Sequence, residues 1–202
     1  MLGSDMLLEQ SVCDVIMPSL DPLRRFIGNL DGIVRTGDES LILAQGRKAL
    51  ARLVARDDWL PPSYAAPDRE RYRQYRLYGD PAGRYSIVSF VWGPGQYTPI
   101  HDHTVWGLIG VLRGAEIAES FALGTAGLEP GTKQRLDAGA VDAVSPRIGD
   151  IHRVRNAHND RVSISIHVYG ADIGMIHRHV YDETGGKKAF VSGYAEAPVL
   201  LI

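Results

Sequence analysis

Two histidines stand one residue apart in Gly95-Gln-Tyr-Thr-Pro-Ile-His101-Asp-His103, and a third follows in Gly149-Asp-Ile-His152-Arg-Val-Arg-Asn156. On a strand, side chains alternate between faces, so His101 and His103 share one face while Asp102 turns to the other. With His152 arriving from a second strand-and-turn segment, three neutral imidazoles converge on one side of a metal ion. The opposite side stays open, which suits a metal that does chemistry rather than one that only holds a fold. Imidazole accepts iron, zinc, copper or nickel, so the ligands alone do not name the metal. Asp102 reads as structural, not as a ligand.

A second constellation lies further along the chain. Ser165, His167 and Tyr169 alternate with Ile164, Ile166 and Val168 in a period-two pattern. A strand turns the three polar groups to one face and the three aliphatic ones to the other. Facing inward, the polar set is costly unless its members satisfy one another, as a Ser165–His167–Tyr169 relay does. Facing outward, the same alternation is the solvated side of an edge strand. The pattern by itself leaves both readings open.

The elements that carry these groups fall into two stretches. Over residues 1–62 the pattern is helical. Asp21-Pro22 reads as an N-cap with proline at the first helical position, and Leu23, Phe26, Ile27, Leu30 and Ile33 follow at helical spacing. A second helix is expected from Asp38-Glu39 to about Ala55, burying Leu43, Leu50, Leu53 and Val54, and Trp59-Leu-Pro61-Pro62 stops it. Residues 1–18 read as a loosely packed arm. Over residues 71–202 short β-branched and aromatic runs are broken at close intervals by glycine or proline. The expected strands are 72–78, 84–92, 98–103, 107–112, 115–123, 134–137, 140–144, 152–155, 162–169 and 188–192. Strands so closely spaced, without alternating helices, argue for an antiparallel sandwich or barrel within a single domain of residues 1–202.

Bulk properties exclude some partners. The net charge of −2 gives no electrostatic case for nucleic acid or an anionic membrane. No apolar run approaches the roughly 20 residues of a membrane-spanning helix. One cysteine, Cys13, permits no intrachain disulfide. The N-terminal stretch lacks a basic leader and is interrupted by Asp5, Glu9 and Asp14, so the expected location is the cytoplasm. The oligomeric state is not set by the pattern; the apolar end Val199-Leu200-Leu201-Ile202 is read as docking either on its own barrel or on a neighbour.

The glycine framing of the histidines resembles the two motifs of the cupin superfamily. Gly95, His101-Asp102-His103, Gly107 and Gly114 match the first; Gly149, His152 and Asn156 match the second, with Pro146 displaced by one position. The fold implied is a mainly β cupin barrel, a double-stranded β-helix or jelly roll, behind a short α-helical N-terminal region. Cupins usually carry a glutamate ligand where this chain has Gly107. Three histidines, no glutamate and a Ser-x-His-x-Tyr strand together resemble the cysteine dioxygenase type I family, over about residues 72–169. That resemblance implies ferrous iron, Fe(2+), on His101, His103 and His152, with Ser165, His167 and Tyr169 as the relay. It also implies a small thiol and dioxygen as substrates, converted to a sulfinic acid. Thiol to sulfinate releases four electrons and dioxygen accepts four, which agrees with the absence of a dinucleotide-binding glycine motif.

Mammalian-type members carry a cysteine, crosslinked to the relay tyrosine, at the position of Gly107; this chain cannot form that link. Cysteine-selective members show Tyr-x-Arg before the metal motif, where this chain reads Tyr72-Arg73-Gln74. A glutamine there resembles the 3-mercaptopropionate dioxygenase branch, in which an arginine beyond the relay tyrosine holds the substrate carboxylate. Arg178 is the matching position. Tyr169-Gly170-Ala171, without the proline often found after the tyrosine, points the same way. Surface solvation is the competing reading of Gln74 and Arg178. Trp92 and Trp106 are read either as pocket walls or as core, His158 as a loop residue, and His177 and His179 as candidate rim groups. Cysteine is the alternative substrate, and a non-catalytic metal-binding cupin the alternative function.

Overall fold

The structure is a computed structural model that describes residues 18–125 and 127–202. Of the expected N-terminal arm only Pro18 is included; residues 1–17, with Cys13, lie outside the described residues.

Helix α1 runs Asp21–Val34 and buries Leu23, Phe26, Ile27, Leu30 and Val34. It starts one residue earlier than the capping pattern suggests. Leu20 is the N-cap, so Asp21 lies inside the first turn, where its carboxylate favours the helix dipole without capping a backbone N–H. Helix α2, Glu39–Val54, starts where expected, and the Asp38 side chain caps it by accepting from the backbone N–H of Ser40 and of Leu41. Trp59 is fully buried, and its indole N–H donates to the Leu53 carbonyl at 3.1 Å, closing the end of α2.

Eleven strands follow among the described residues: β1 Arg73–Gly79, β2 Ser86–Trp92, β3 Ile100–His101, β4 Gly107–Arg113, β5 Ala115–Gly124, β6 Gly127–Asp137, β7 Val141–Val144, β8 His152–Asn156, β9 Ser163–Tyr169, β10 Arg178–Tyr181 and β11 Lys187–Phe190. They form two sheets, ordered β1-β2-β9-β4-β7 and β11-β10-β3-β8-β5-β6, whose neighbours all run antiparallel. This is the mainly β, two-sheet cupin architecture, with the helices on its N-terminal side.

Three strand expectations need correction. The 98–103 segment pairs only at Ile100–His101, because Pro99 cannot donate to a ladder and Thr104 takes a positive φ of 62° just beyond it. Strand β6 begins at Gly127 rather than near 134: Pro130 and Gly131 weaken its intrinsic preference, but the long β5–β6 hairpin holds it in register. Strand β10 has no counterpart among the expected strands, since four residues between β3 and β11 carry little periodicity of their own.

The helices cover the outer face of the five-stranded sheet. Leu30, Leu50 and Leu53 share one core with Ile87, Val91, Leu108, Leu112, Ile164, Ile166 and Val168. Gly46 permits the close approach, since a Cβ there would lie 2.6 Å from Leu108 Cδ1. The C-terminal segment returns to these helices: Tyr64 donates to the Pro198 carbonyl, Arg24 donates to the Leu201 carbonyl at 3.2 Å, and Leu200 packs on the core. Among the described residues, no helix is long and apolar enough to cross a membrane.

Candidate metal centre

Strand pairing brings the three histidines together. His101 on β3 is the register partner of His152 on β8, and His103 follows two residues after His101. Their ring centroids are 4.8–4.9 Å apart, and one ring nitrogen from each lies within 4.8 Å of the others. All three are buried.

On His101 and His103 the outer nitrogen is engaged, which aims the inner one. His103 Nδ1 is 2.9 Å from Asp150 Oδ1, and the other Asp150 oxygen accepts from the backbone N–H of His103 and of Thr104. His101 Nδ1 is 3.0 Å from the Pro99 carbonyl. With Nδ1–H donating in each case, Nε2 is left as the free lone pair. His103 Nε2 has no hydrogen-bond partner although it is buried, an arrangement that a metal ion would satisfy. Burial and the neighbouring His103 lower the His101 pKa to about 3, and burial likewise holds His152 well below the usual histidine range. Neutral imidazoles are the form that ligates. Burial works to raise the Asp150 pKa, but the His103 hydrogen bond and the two backbone N–H groups outweigh it and keep the carboxyl below its usual value.

Asp102 faces away from this cluster. It accepts from the backbone N–H of His179 at 2.8 Å, pairs with His179 Nδ1 at 2.9 Å and accepts from the Tyr181 hydroxyl at 2.8 Å. It therefore ties β10 to the histidine segment, and His179 belongs to that clamp. His177 is exposed, and His158 sits in the loop after β8.

The Ser-x-His-x-Tyr strand lies at the centre of its sheet, between β2 and β4, with all seven residues buried. The edge-strand reading is thereby excluded. Ser165 Oγ is 2.7 Å from His167 Nε2, and His167 Nδ1 is 2.7 Å from the Tyr169 hydroxyl. The Tyr169 ring stacks on His103 with centroids 5.2 Å apart. Burial pushes the Tyr169 pKa far up, so the phenol keeps its proton. Gly107 is opposite Tyr169 in the β4–β9 register, and a Cβ there would come 3.0 Å from two atoms of the tyrosine ring. Trp92 is buried in a core cluster, and its indole N–H donates to Ser165 Oγ at 3.1 Å. Trp106 packs on the helix-side core instead.

Arg178 is 3% exposed on β10. One terminal nitrogen donates to Ser192 Oγ at 2.7 Å, its guanidinium lies 4.7 Å from the Phe190 ring centroid, and its Nε is buried without a partner. Its charge is felt at His101, Tyr169 and Tyr72. Gln74 and Tyr72 line a cavity of about 440 Å³ together with Phe190, Ser192 and Tyr194. The surface-solvation reading fails for Arg178, while Gln74 is half-buried at the cavity wall.

Two residues of this centre escaped the sequence reading. Asp150 stands beside the second glycine motif, where its place next to His152 was the available signal. Glu116 is fully buried on β5, and only the register that turns it inward reveals it.

The family model for cysteine dioxygenase type I matches residues 48–183. Cysteine dioxygenase type 1 of Danio rerio is 28% identical over 148 residues, covering 69% of this chain and 71% of that protein. Among solved structures, a double-stranded β-helix protein of Klebsiella pneumoniae is 19% identical with a TM-score of 0.44, covering 55% of this chain and 80% of its own. A cupin superfamily protein of Desulfitobacterium hafniense is 16% identical with a TM-score of 0.43, covering 58% and 94%. The family match spans more than half of the sequence, and the chain belongs to the cysteine dioxygenase type I family.

Proposed function

We propose that this protein is a non-haem Fe(2+) thiol dioxygenase that converts 3-mercaptopropionate and dioxygen to the corresponding sulfinic acid. The observation that carries the substrate class is Arg178: a buried cation with an unpartnered Nε, whose charge reaches His101 and Tyr169. A buried cation with a free donor favours an anionic ligand, and a guanidinium matches a carboxylate in shape as well as charge. The choice of a thiol without an amino group follows the resemblance at Gln74; Asp150, the acid beside His103, is taken by His103 and Thr104 and is not free to receive an ammonium.

His101, His103 and His152 would hold the ferrous ion, and Asp150 would fix the orientation of His103. When bound, that ion would supply a Lewis acid that lowers the thiol pKa and a redox centre for the reaction with dioxygen. Tyr169 keeps its phenolic proton and is oriented by His167, so it would donate a hydrogen bond to a bound substrate. Arg178 would hold the far end of the substrate. L-Cysteine is the competing substrate, favoured by the similarity to the Danio rerio enzyme.

The test is turnover of 3-mercaptopropionate by iron-loaded protein under ¹⁸O₂, with mass spectrometry of the product. Both sulfinate oxygens should carry the label. Unlabelled sulfinate, or disulfide as the product, would reject the dioxygenase reading. Arg178→Ala should raise KM by about 10- to 150-fold, the worth of a hydrogen bond to a charged group.

A further inference from the structure

Glu116 lies on β5 of the six-stranded sheet and is 0% exposed, and neither carboxylate oxygen has a hydrogen-bond partner. The polar groups that face it are the Ser165 hydroxyl and the Trp92 N–H, both close enough to favour its charged form, although neither completes a hydrogen bond of full geometry. Its register partners are Asn156 on β8 and Leu136 on β6. Asn156 is committed elsewhere, to the carbonyls of Trp92, Gly93 and Arg161, to the His158 N–H and to Ser163. The ionisable group that senses Glu116 is Tyr169, at the other end of the relay. Among the described residues no cation is paired with Glu116. Burial raises its pKa to about 7 against those two polar neighbours.

The geometry points to Glu116 as a positioning residue whose protonation state sets the direction of every hydrogen bond from Ser165 to Tyr169. Counting protons along the chain gives the two directions. Ser165 Oγ has two lone pairs and one proton, and one lone pair is taken by the Trp92 N–H. When Glu116 carries its proton, it donates to the second lone pair, and the Ser165 proton goes to His167 Nε2. His167 then donates from Nδ1 to the Tyr169 oxygen, and the Tyr169 proton is free to point away from the relay. When Glu116 is ionised, it takes the Ser165 proton as acceptor. His167 donates from Nε2 to Ser165, Tyr169 donates to His167 Nδ1, and the phenol has no proton to offer outside the relay. Four protons occupy the chain in the first state and three in the second, so one proton leaves for solvent and no oxidant or reductant is involved.

The consequence for turnover rests on the dioxygenase reading; the hydrogen-bond reversal does not. The test is therefore ¹⁵N NMR of the histidine side chains in zinc-loaded protein, from about pH 5 to about pH 9. His167 should change from the Nδ1–H to the Nε2–H tautomer, with a midpoint near the Glu116 pKa of about 7. Glu116→Gln should hold one tautomer across the range. Ser165→Ala, which cuts the link while leaving Glu116 in place, should also abolish the change. A single tautomer in the wild type, or a change that persists in Glu116→Gln, would overturn the assignment. With iron and 3-mercaptopropionate, kcat/KM should fall by up to about tenfold per pH unit above the transition, and this limb should be absent in Glu116→Gln. A tautomer change without any turnover would retain the reversal and reject the dioxygenase reading instead.

Discussion

On the helix-facing side of β9, Ile164, Ile166 and Val168 join a core made only of apolar contacts with α1 and α2. On the inner side of the same strand, Ser165, His167 and Tyr169 form a hydrogen-bonded line between Trp92 and the histidine cluster. Both faces exclude water equally, since every residue of β9 is buried. They differ in what burial asks of them. The outer face needs only filled volume, whereas each inner group needs a partner in a defined orientation. Packing is thus carried by one set of alternate residues of the strand, and the proposed chemistry by the other.

That separation can be broken at single positions. Tyr169→Phe removes one hydroxyl from the inner face and should lower kcat by about 10²- to 10⁴-fold. Iron content and melting temperature should stay close to wild type; loss of iron, measured by metal analysis, would mean the relay also supports the metal centre. Ile166→Ala should do the reverse. Removing a fully buried side chain is expected to cost about 2–5 kcal/mol in denaturant unfolding while leaving metal affinity unchanged.

Glu116 sharpens the comparison because its burial bears on both properties. Its folded pKa of about 7 lies above the reference value of 4.5, so the folded state retains a proton that the unfolded chain has lost. Stability is then highest below the unfolded value and falls as pH rises through the interval to about 7, by up to about 3 kcal/mol. Glu116→Gln should remove that fall, and unfolding of both proteins at acid and neutral pH measures it. The smallest change is expected at Asp150→Asn, which keeps the size of the side chain but weakens its hold on His103. Metal affinity should drop about 10- to 100-fold, as read by competition with a chelator.

How much of this is legible in the sequence follows the same division. The histidine pair and the Ser-x-His-x-Tyr alternation are local patterns, and period two on a strand is enough to group their side chains. The helices are legible through their apolar spacing, the Asp21-Pro22 start of the first and the Asp38-Glu39 start of the second. Which face of β9 points inward is not: alternation is symmetric, and only the packing of the helices on Ile164, Ile166 and Val168 decides it. Glu116 is hidden for the same reason, since Glu116, Ala118 and Ser120 read as an ordinary stripe until β5 is placed beside β8. Arg178 becomes a buried cation through β10, a strand held by the Asp102 clamp and too short to announce itself.

The most direct test of the proposed function is a comparison of oxygen uptake by iron-loaded protein with 3-mercaptopropionate, L-cysteine and cysteamine. The first should show the highest kcat/KM, and cysteamine, which lacks the carboxylate that Arg178 would hold, the lowest. A higher kcat/KM for L-cysteine would contradict the reading of Gln74 and of the committed acid Asp150. Equal rates for cysteamine and 3-mercaptopropionate would contradict the role of Arg178.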